Sequence, residues 1–162
     1  MVMPQHSPAP ITQSEHHTKI RVYFEDTDAF GIVYYANYLK YAERARAELL
    51  RDAGFLSSEL LIQDAIALVV KNVTITYFLP ARLDDHLSVK TKFEKIRGAS
   101  IEAVQIITRR NRELVRLELK IGCMHVPSGK PQRLPEKLIK SLSKVPLNQC
   151  NKIDDKRITN GL

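Results

Sequence analysis

The chain has 162 residues, of which 44% are hydrophobic and 27% charged, and it carries a formal net charge of +7. These values suit one globular domain with a full core. No apolar run approaches the roughly 20 residues that a membrane-spanning helix needs, which excludes such a helix. Two cysteines without ligand-like spacing also argue against a disulfide framework or a zinc site.

The two ends of the chain differ in composition from its middle. The first 16 residues are polar, contain prolines and lack the basic start and apolar centre of a signal peptide. We therefore predict a disordered leader over 1–16, one folded domain over 17–145 and a basic polar tail over 146–162, in a cytoplasmic protein. The basic C-terminal region suits a polyanionic partner such as coenzyme A, an acidic acyl carrier protein, anionic lipid or nucleic acid, or is simply a solvated surface.

The first predicted elements are a strand, an acidic loop and a long helix. Residues 18–24 alternate in polarity and predict a half-buried strand. Its buried face comprises Ile20, Val22 and Phe24. The helix runs from about Ala36 to Ala53, with Gly54 just beyond its end. Its apolar face comprises Tyr38, Leu39, Ala42, Ala45, Leu49 and Leu50, and the small residues at 42 and 45 allow close packing against a sheet.

The rest of the domain is rich in β-strand patterns. Segment 57–64 is long enough for a second short helix. Residues 66–78 predict a long strand, and its apolar start predicts a central position in the sheet. A further strand is predicted over 87–93. Segments 100–108 and 114–125 are predicted to pair as a hairpin. A loop over 127–135 precedes a short basic helix over 136–143. One long helix against an antiparallel sheet of about five strands predicts an α+β fold.

The acidic loop between the first strand and the helix is the candidate reactive segment. Its carboxylates precede a helix N-terminus, where amide groups lack backbone partners and carry partial positive charge. Such amides polarise a carbonyl oxygen while a carboxylate attacks the carbon or activates a water. A turn-forming or helix-capping aspartate and a site for a hard cation are alternatives on residue type alone. No further ligands recur at cation-loop spacing, so we predict no metal.

The loop and the helix also carry a family resemblance. Residues 23–38, continued by 41–46, 80–85 and 97–100, resemble the signature of the hotdog-fold acyl-CoA thioesterases in the 4-hydroxybenzoyl-CoA thioesterase branch. The YbgC-type proteins of bacterial Tol–Pal gene clusters are the most similar subgroup. The resemblance covers about residues 17–140, and the run from Asp26 to Tyr35 is its most specific part. It implies a sheet that wraps the helix and hydrolysis of a short, aryl or longer acyl-CoA without a cofactor.

The same resemblance assigns roles to individual residues. Asp28 is the expected nucleophile or general base toward the thioester carbonyl. The backbone amide of Tyr35 is the expected oxyanion donor; YbgC-type proteins hold histidine at this position, so no side-chain role is carried over. Gly31 is expected to let the backbone approach the substrate or turn tightly into the helix. The segment expected to pass near the pantetheine and phosphates of coenzyme A comprises Arg97, Gly98 and Ser100.

Assembly and partners complete the expectations. The family forms homodimers with a continuous sheet, and many members form homotetramers. Segment 100–108 is apolar on both sides, which favours an interface on the outer face of the sheet. The rival hypothesis is a binding protein of the same fold that docks a carrier protein or membrane-associated partner through Lys137, Lys140 and Lys144. The basic residues lack interleaved aromatics of the RNP type, so we predict no nucleic-acid binding.

Overall fold

The computed structural model describes residues 15–144. This part of the chain forms six strands and three α-helices: β1 (His16–Arg21), α1 (Asn37–Asp52), α2 (Ser57–Gln63), β2 (Ile66–Tyr77), β3 (His86–Arg97), β4 (Ser100–Arg109), β5 (Arg112–His125), β6 (Lys130–Pro131) and α3 (Glu136–Leu142). β1 begins one residue ahead of the predicted domain boundary. Residues 1–14 of the predicted leader, and the whole predicted tail, lie outside the described residues.

The strands form one antiparallel sheet in the order β1-β3-β4-β5-β2, with the two-residue β6 beside β5. The predicted hairpin of β4 and β5 is confirmed. Its turn residues Arg110 and Asn111 both have positive φ, 48° and 63°, as a two-residue hairpin turn requires. The architecture is α+β, with one long helix on one face of five long strands.

Helix α1 packs closely on this sheet because its contact face carries small side chains. Ala42 and Ala45 are completely buried, and Leu49 is 3% exposed. The residue at C′, Gly54, has φ +86°, which ends the helix in the left-handed conformation that glycine adopts without strain. The predicted helix is therefore confirmed within one residue at each end.

A buried polar cluster ties the middle of α1 to the sheet. The Arg46 guanidinium donates through Nη1 to Gln105 Oε1 at 2.7 Å and pairs through Nη2 with Glu43. The Gln105 amide in turn donates to the Ala42 carbonyl and to the Thr91 hydroxyl, both at 2.9 Å. Arg46 is 9% exposed and Gln105 is fully buried. The sequence pattern placed neither residue in the core, because both are polar types that are rarely buried.

Two predicted core residues are exposed instead. Phe24 is 82% exposed because β1 ends at Arg21 and the chain turns into a single 3₁₀ turn over Phe24–Asp26, which breaks the alternation of the strand. Leu39 is 40% exposed because it lies at the margin of the face that contacts the sheet. The helix instead buries Tyr41 completely, one turn before Ala45.

The predicted central position of β2 is wrong. Within the described chain β2 is the last strand of the sheet, paired with β5 on one side only. An apolar pattern on both faces indicates that both faces of the strand are covered. It does not indicate whether a neighbouring strand pairs with each of its two edges. Here α2 lies against β2, while Val70 remains 44% exposed.

The buried cluster predicts a specific pattern of stability. Replacing Gln105 with Leu leaves Nη1 of the buried Arg46 guanidinium without its acceptor, while Nη2 keeps its pairing with Glu43, so we expect the free energy of unfolding to fall by about 2–4 kcal/mol. Adding Arg46→Met removes the buried guanidinium and should restore part of the lost free energy of unfolding. Urea unfolding monitored by circular dichroism measures both changes. The exposed Gln63→Leu is the control, and equal stabilities of all four proteins would contradict this account.

Candidate active site

The loop between β1 and α1 is a compact turn held by its own backbone. The Asp28 amide donates to the Ile32 carbonyl at 2.9 Å, and the Gly31 amide donates to the Asp28 carbonyl at 2.9 Å. Gly31 has φ +70°, and no atom lies within 4 Å of where a Cβ would be. Glycine at this position therefore serves the turn conformation, as one of the two expectations for Gly31 requires, and the space where a side chain would lie is open.

Two neighbouring aspartates of this loop have different surroundings. Asp26 is 4% exposed and accepts the Tyr23 amide through Oδ2 at 2.8 Å, so it orders the turn. Asp28 is half-buried, and its Oδ1 accepts the Phe30 amide at 2.8 Å. Among residues 15–144 no donor bonds to Oδ2 of Asp28. Asp28 is thus held by one oxygen as a turn aspartate, and its other oxygen remains available for chemistry.

The second leg of the loop is anchored to the start of α1. The Tyr34 amide and the Asn37 side-chain amide both donate to the Asp26 carbonyl at 2.9 Å. Asn37 is 7% exposed, so this side-chain bond is shielded from water. The bonds fix the segment that carries Tyr35 relative to the acidic turn. Sequence reasoning missed Asn37, because a polar residue in the first turn of a helix is normally assigned a surface position.

Segment 80–85 braces the loop from the side. Ala81 accepts the Val33 amide at 2.9 Å, and its own amide donates to the Tyr38 hydroxyl at 2.9 Å. Because Ala81 and Val33 are buried and Tyr38 belongs to α1, these bonds join the loop, the helix and the segment before β3. The Pro-Ala-Arg-Leu-Asp-Asp part of the family signature therefore supports the loop's geometry.

Tyr35 lies at the surface, and its backbone carbonyl accepts a hydrogen bond. Its carbonyl accepts the Tyr77 hydroxyl at 3.1 Å, and its ring lies 6.4 Å from the Tyr77 ring in an edge-on arrangement. Within the described part of the chain, the Tyr35 amide donates no hydrogen bond. The Tyr35 side chain is 60% exposed and packs against Tyr34, with 4.7 Å between ring centroids. A free amide at the entrance to a helix is the feature that an oxyanion donor needs.

The tyrosines beside the loop stay protonated near neutral pH. Burial raises the pKa of Tyr38, as it does that of Tyr77, where the Tyr35 phenol adds to the effect. Burial likewise raises the pKa of Tyr41, and the neighbouring Asp26 carboxylate raises it further. The Tyr41 hydroxyl is buried near Asp26 without the geometry of a full hydrogen bond. The Tyr38 and Tyr77 phenols are therefore protonated hydrogen-bonding groups, and the Tyr41 phenol is a protonated packing group.

The predicted coenzyme A segment is far from the loop within one chain. Arg97, Gly98 and Ser100 form the turn between β3 and β4, and Ser100 lies in register with Gly122 and, across β5, with Val69. Val69 is eight residues from Tyr77 along β2, which is about 26 Å of strand. A single chain therefore does not place this turn beside Asp28. Gly98 has φ +53° and is the residue that the tight turn requires.

Three further observations concern the other expectations. Within residues 15–144, no group of at least three His, Cys, Asp or Glu side chains is arranged to hold a metal ion. The helices of the same region are all too short or too polar to cross a membrane. In the basic C-terminal segment, Lys137 pairs with Asp64 at 3.0 Å and Lys140 with Glu136 at 3.5 Å. Two of the three lysines considered for docking are therefore matched by carboxylates of this chain.

Comparisons with known proteins agree with the fold. The family model of the thioesterase-like superfamily matches residues 22–142. The acyl-CoA thioester hydrolase YbgC of Escherichia coli is 40% identical over 121 residues, which are 74% of this chain and 90% of that protein. The acyl-CoA thioesterase YbgC of Haemophilus influenzae is 40% identical over 119 residues, 74% of this chain and 88% of that protein.

Solved structures share the same architecture. The crystal structure of a probable thioesterase from Bartonella henselae superposes with a TM-score of 0.72 at 36% identity, covering 75% of this chain and all of that one. A hypothetical protein from Aquifex aeolicus superposes with a TM-score of 0.73 at 28% identity, covering 78% and 98%. The family resemblance and the hotdog fold are thereby confirmed. The chain belongs to the thioesterase-like superfamily and is a thioester hydrolase.

Proposed function

We propose that the protein hydrolyses acyl-CoA thioesters, with Asp28 as the reacting carboxylate. The observation that carries this proposal is the half-buried Asp28, whose Oδ2 is not hydrogen-bonded within residues 15–144 while Oδ1 is held by the Phe30 amide. The curated relatives that are 40% identical support acyl-CoA as the substrate. No atom lies within 4 Å of the Cβ position of Gly31, so this part of the loop is open to an approaching group.

Two routes are consistent with one available carboxylate oxygen. In the first, Asp28 attacks the thioester carbon, the C–S bond breaks to release the coenzyme A thiolate, and water then hydrolyses the acyl anhydride. In the second, Asp28 takes a proton from a water that attacks the same carbon, and the thiol leaves after protonation. Either route places negative charge on the carbonyl oxygen. The free Tyr35 amide is the proposed donor to that oxygen.

A second copy of the chain is the proposed partner at the β2 edge. β2 has an unpaired edge along its 12 residues within the described chain, and Tyr77 and Phe78 are 43% and 53% exposed there. An unpaired strand edge of this length with exposed apolar side chains is a template for association. Pairing of this kind would also let the 97–100 turn of one protomer serve the loop of another.

The first prediction concerns the carboxylate. Asp28→Asn keeps the side-chain shape but removes the basic and nucleophilic oxygen, so we expect kcat for acyl-CoA hydrolysis to fall by roughly 10³-fold or more. Free-thiol release measures the rate. Asp84→Asn is the matched control, because Asp84 has φ +65°, which asparagine tolerates, and lies on the surface. Wild-type turnover by Asp28→Asn would refute the proposed mechanism.

The second prediction concerns the loop anchor. Asn37→Ala removes the shielded bond to the Asp26 carbonyl and loosens the segment that carries Tyr35. We expect kcat to fall roughly 10- to 100-fold, since small misplacements of reacting groups are costly. Stability should fall by only about 1 kcal/mol. Ser128→Ala removes a hydrogen bond to His125, which pairs with Ile66 at the far end of β2, and should leave kcat unchanged; similar effects of the two variants on kcat would contradict a positioning role.

The third prediction concerns assembly. Sedimentation velocity at micromolar concentration should give the mass of a dimer or a larger closed oligomer, because pairing at β2 covers the free edge and its apolar side chains. A proline at Ile75, in the middle of β2, removes a backbone donor from the free edge and should shift the distribution toward monomer. Because the Phe78 amide donates to the Leu114 carbonyl of β5 and amide directions alternate along a strand, the Ile75 amide faces away from β5. A monomer in the wild-type protein would contradict the proposed assembly.

A further inference from the structure

A cavity of about 270 Å³ lies between the second half of α1, α2 and the first half of β2. Its walls are mainly aliphatic and include Leu50 and Leu61 from the helices and Leu68 and Val70 from β2. None of these residues belongs to the reacting loop. We propose that this cavity takes the end of a long aliphatic acyl chain; the inference rests on the proposed function of Asp28 and names its substrate class.

The charged groups at the cavity, Arg46 and Glu43, are already paired within the protein. Arg46 lines it, but its guanidinium is bonded to Gln105 and paired with Glu43. A ligand carboxylate would have to break these bonds to reach the guanidinium. Because burying an unpaired charge or polar group is costly, the chemistry of the cavity favours an uncharged hydrocarbon.

A mainly apolar seam leads from the reacting loop to this cavity, and its one charged member, Glu43, is paired with Arg46. On α1, the residues Leu39, Glu43, Ala47 and Leu50 follow one another at helical spacing along one stripe, and the last three line the cavity. On β2, the residues Ile75, Val73 and Val70 lie opposite buried residues of β5 and therefore face the helix side of the sheet.

Tyr77 lies on the same side of the sheet as these β2 residues, opposite Val115, and its hydroxyl bonds to the Tyr35 carbonyl. The loop that carries Asp28 and the cavity are therefore at two ends of one seam.

Length and volume then set the size of the acyl group. Glu43 is six residues beyond Asn37, or about 9 Å along the helix. At about 1.3 Å of extension per C–C bond, roughly seven carbons cross that distance. A cavity of about 150 Å³ holds a six-carbon benzene, so the space here accepts roughly ten further carbons. Chains of about 12 to 16 carbons fill it, whereas butyryl and benzoyl groups end before reaching it.

Helix α2 supplies a matched pair of positions for the test. Leu61 lines the cavity and is 46% exposed, whereas its neighbour Ile62 does not line it and is 81% exposed. A phenylalanine at either position is compatible with folding because both side chains have space on the solvent side. Leu61→Phe narrows the cavity, and Ile62→Phe adds the same bulk outside it. Ala47→Phe on α1 is a second narrowing variant from the opposite wall.

The experiment measures kcat/KM for butyryl-, octanoyl-, dodecanoyl-, palmitoyl- and benzoyl-CoA below their micelle concentrations. The wild type should prefer dodecanoyl- or palmitoyl-CoA over butyryl-CoA by at least tenfold. In Leu61→Phe and in Ala47→Phe the palmitoyl-to-butyryl ratio should fall at least tenfold, while in Ile62→Phe it should match the wild type. Unchanged ratios in both narrowing variants, or a wild type that prefers butyryl- or benzoyl-CoA, would overturn the inference.

Binding separates this inference from the proposed function. Calorimetric titration of the Asp28→Asn protein with palmitoyl-CoA reports chain binding without turnover, and adding Leu61→Phe should weaken the affinity at least tenfold. If no acyl-CoA is hydrolysed by the wild type but this loss of affinity is observed, the proposed function fails and the chain site stands. If the affinity is unchanged, the inference is wrong. If Leu61→Phe also shifts the sedimentation mass, the cavity is a contact between copies.

Discussion

The close contact between α1 and the concave face of the sheet is the constraint on which the other features depend. Ala42 and Ala45 bring the helix backbone near the strands, and the Arg46–Gln105 bonds tie it at one position along its axis. Apolar contacts alone are non-directional and would hold a helix against a sheet at several positions. The hydrogen bonds from Gln105 to the Ala42 carbonyl and the Thr91 hydroxyl select one of them. Burying an arginine costs free energy, and the hydrogen bonds of this arginine determine where the two ends of the helix lie.

Both functional regions follow from that placement. The N-terminal end of α1 holds the reacting loop through Asn37, and Ala81 joins Val33 of the loop and Tyr38 of the helix to the segment before β3. The second half of the same helix forms a wall of the aliphatic cavity through Ala47 and Leu50. A displacement of the helix by one turn, about 5.4 Å, would separate Asn37 from the Asp26 carbonyl and close or expose the cavity. The proposed thioester chemistry and the proposed acyl-chain binding thus depend on one packing arrangement.

Features that depend on local periodicity were predictable from the sequence. The helix boundaries, the β4–β5 hairpin and the burial of Ile20 and Val22 follow from patterns within a few residues. The exposed Phe24, the edge position of β2 and the Arg46–Gln105 pair were not, because they depend on where the chain turns and on partners 59 residues apart. For Asp28 the residue pattern alone left a turn residue and a reactive carboxylate as alternatives, and one oxygen is indeed used in the turn. The family resemblance supplied the choice of Asp28, whose role stays a prediction. The distance from Asp28 to the 97–100 turn could not be predicted, since it depends on strand register.

The most direct measurement is a crystal structure with a long-chain ketone analogue of acyl-CoA, in which a methylene replaces the thioester sulfur so that the carbonyl is kept. The account predicts the carbonyl oxygen about 3 Å from the Tyr35 amide and the carbonyl carbon within about 3.5 Å of the Asp28 carboxylate or of a water bonded to it. It also predicts the alkyl chain along the seam between α1 and β2. A carbonyl bound elsewhere, with no contact to Asp28 directly or through a water, would contradict the account.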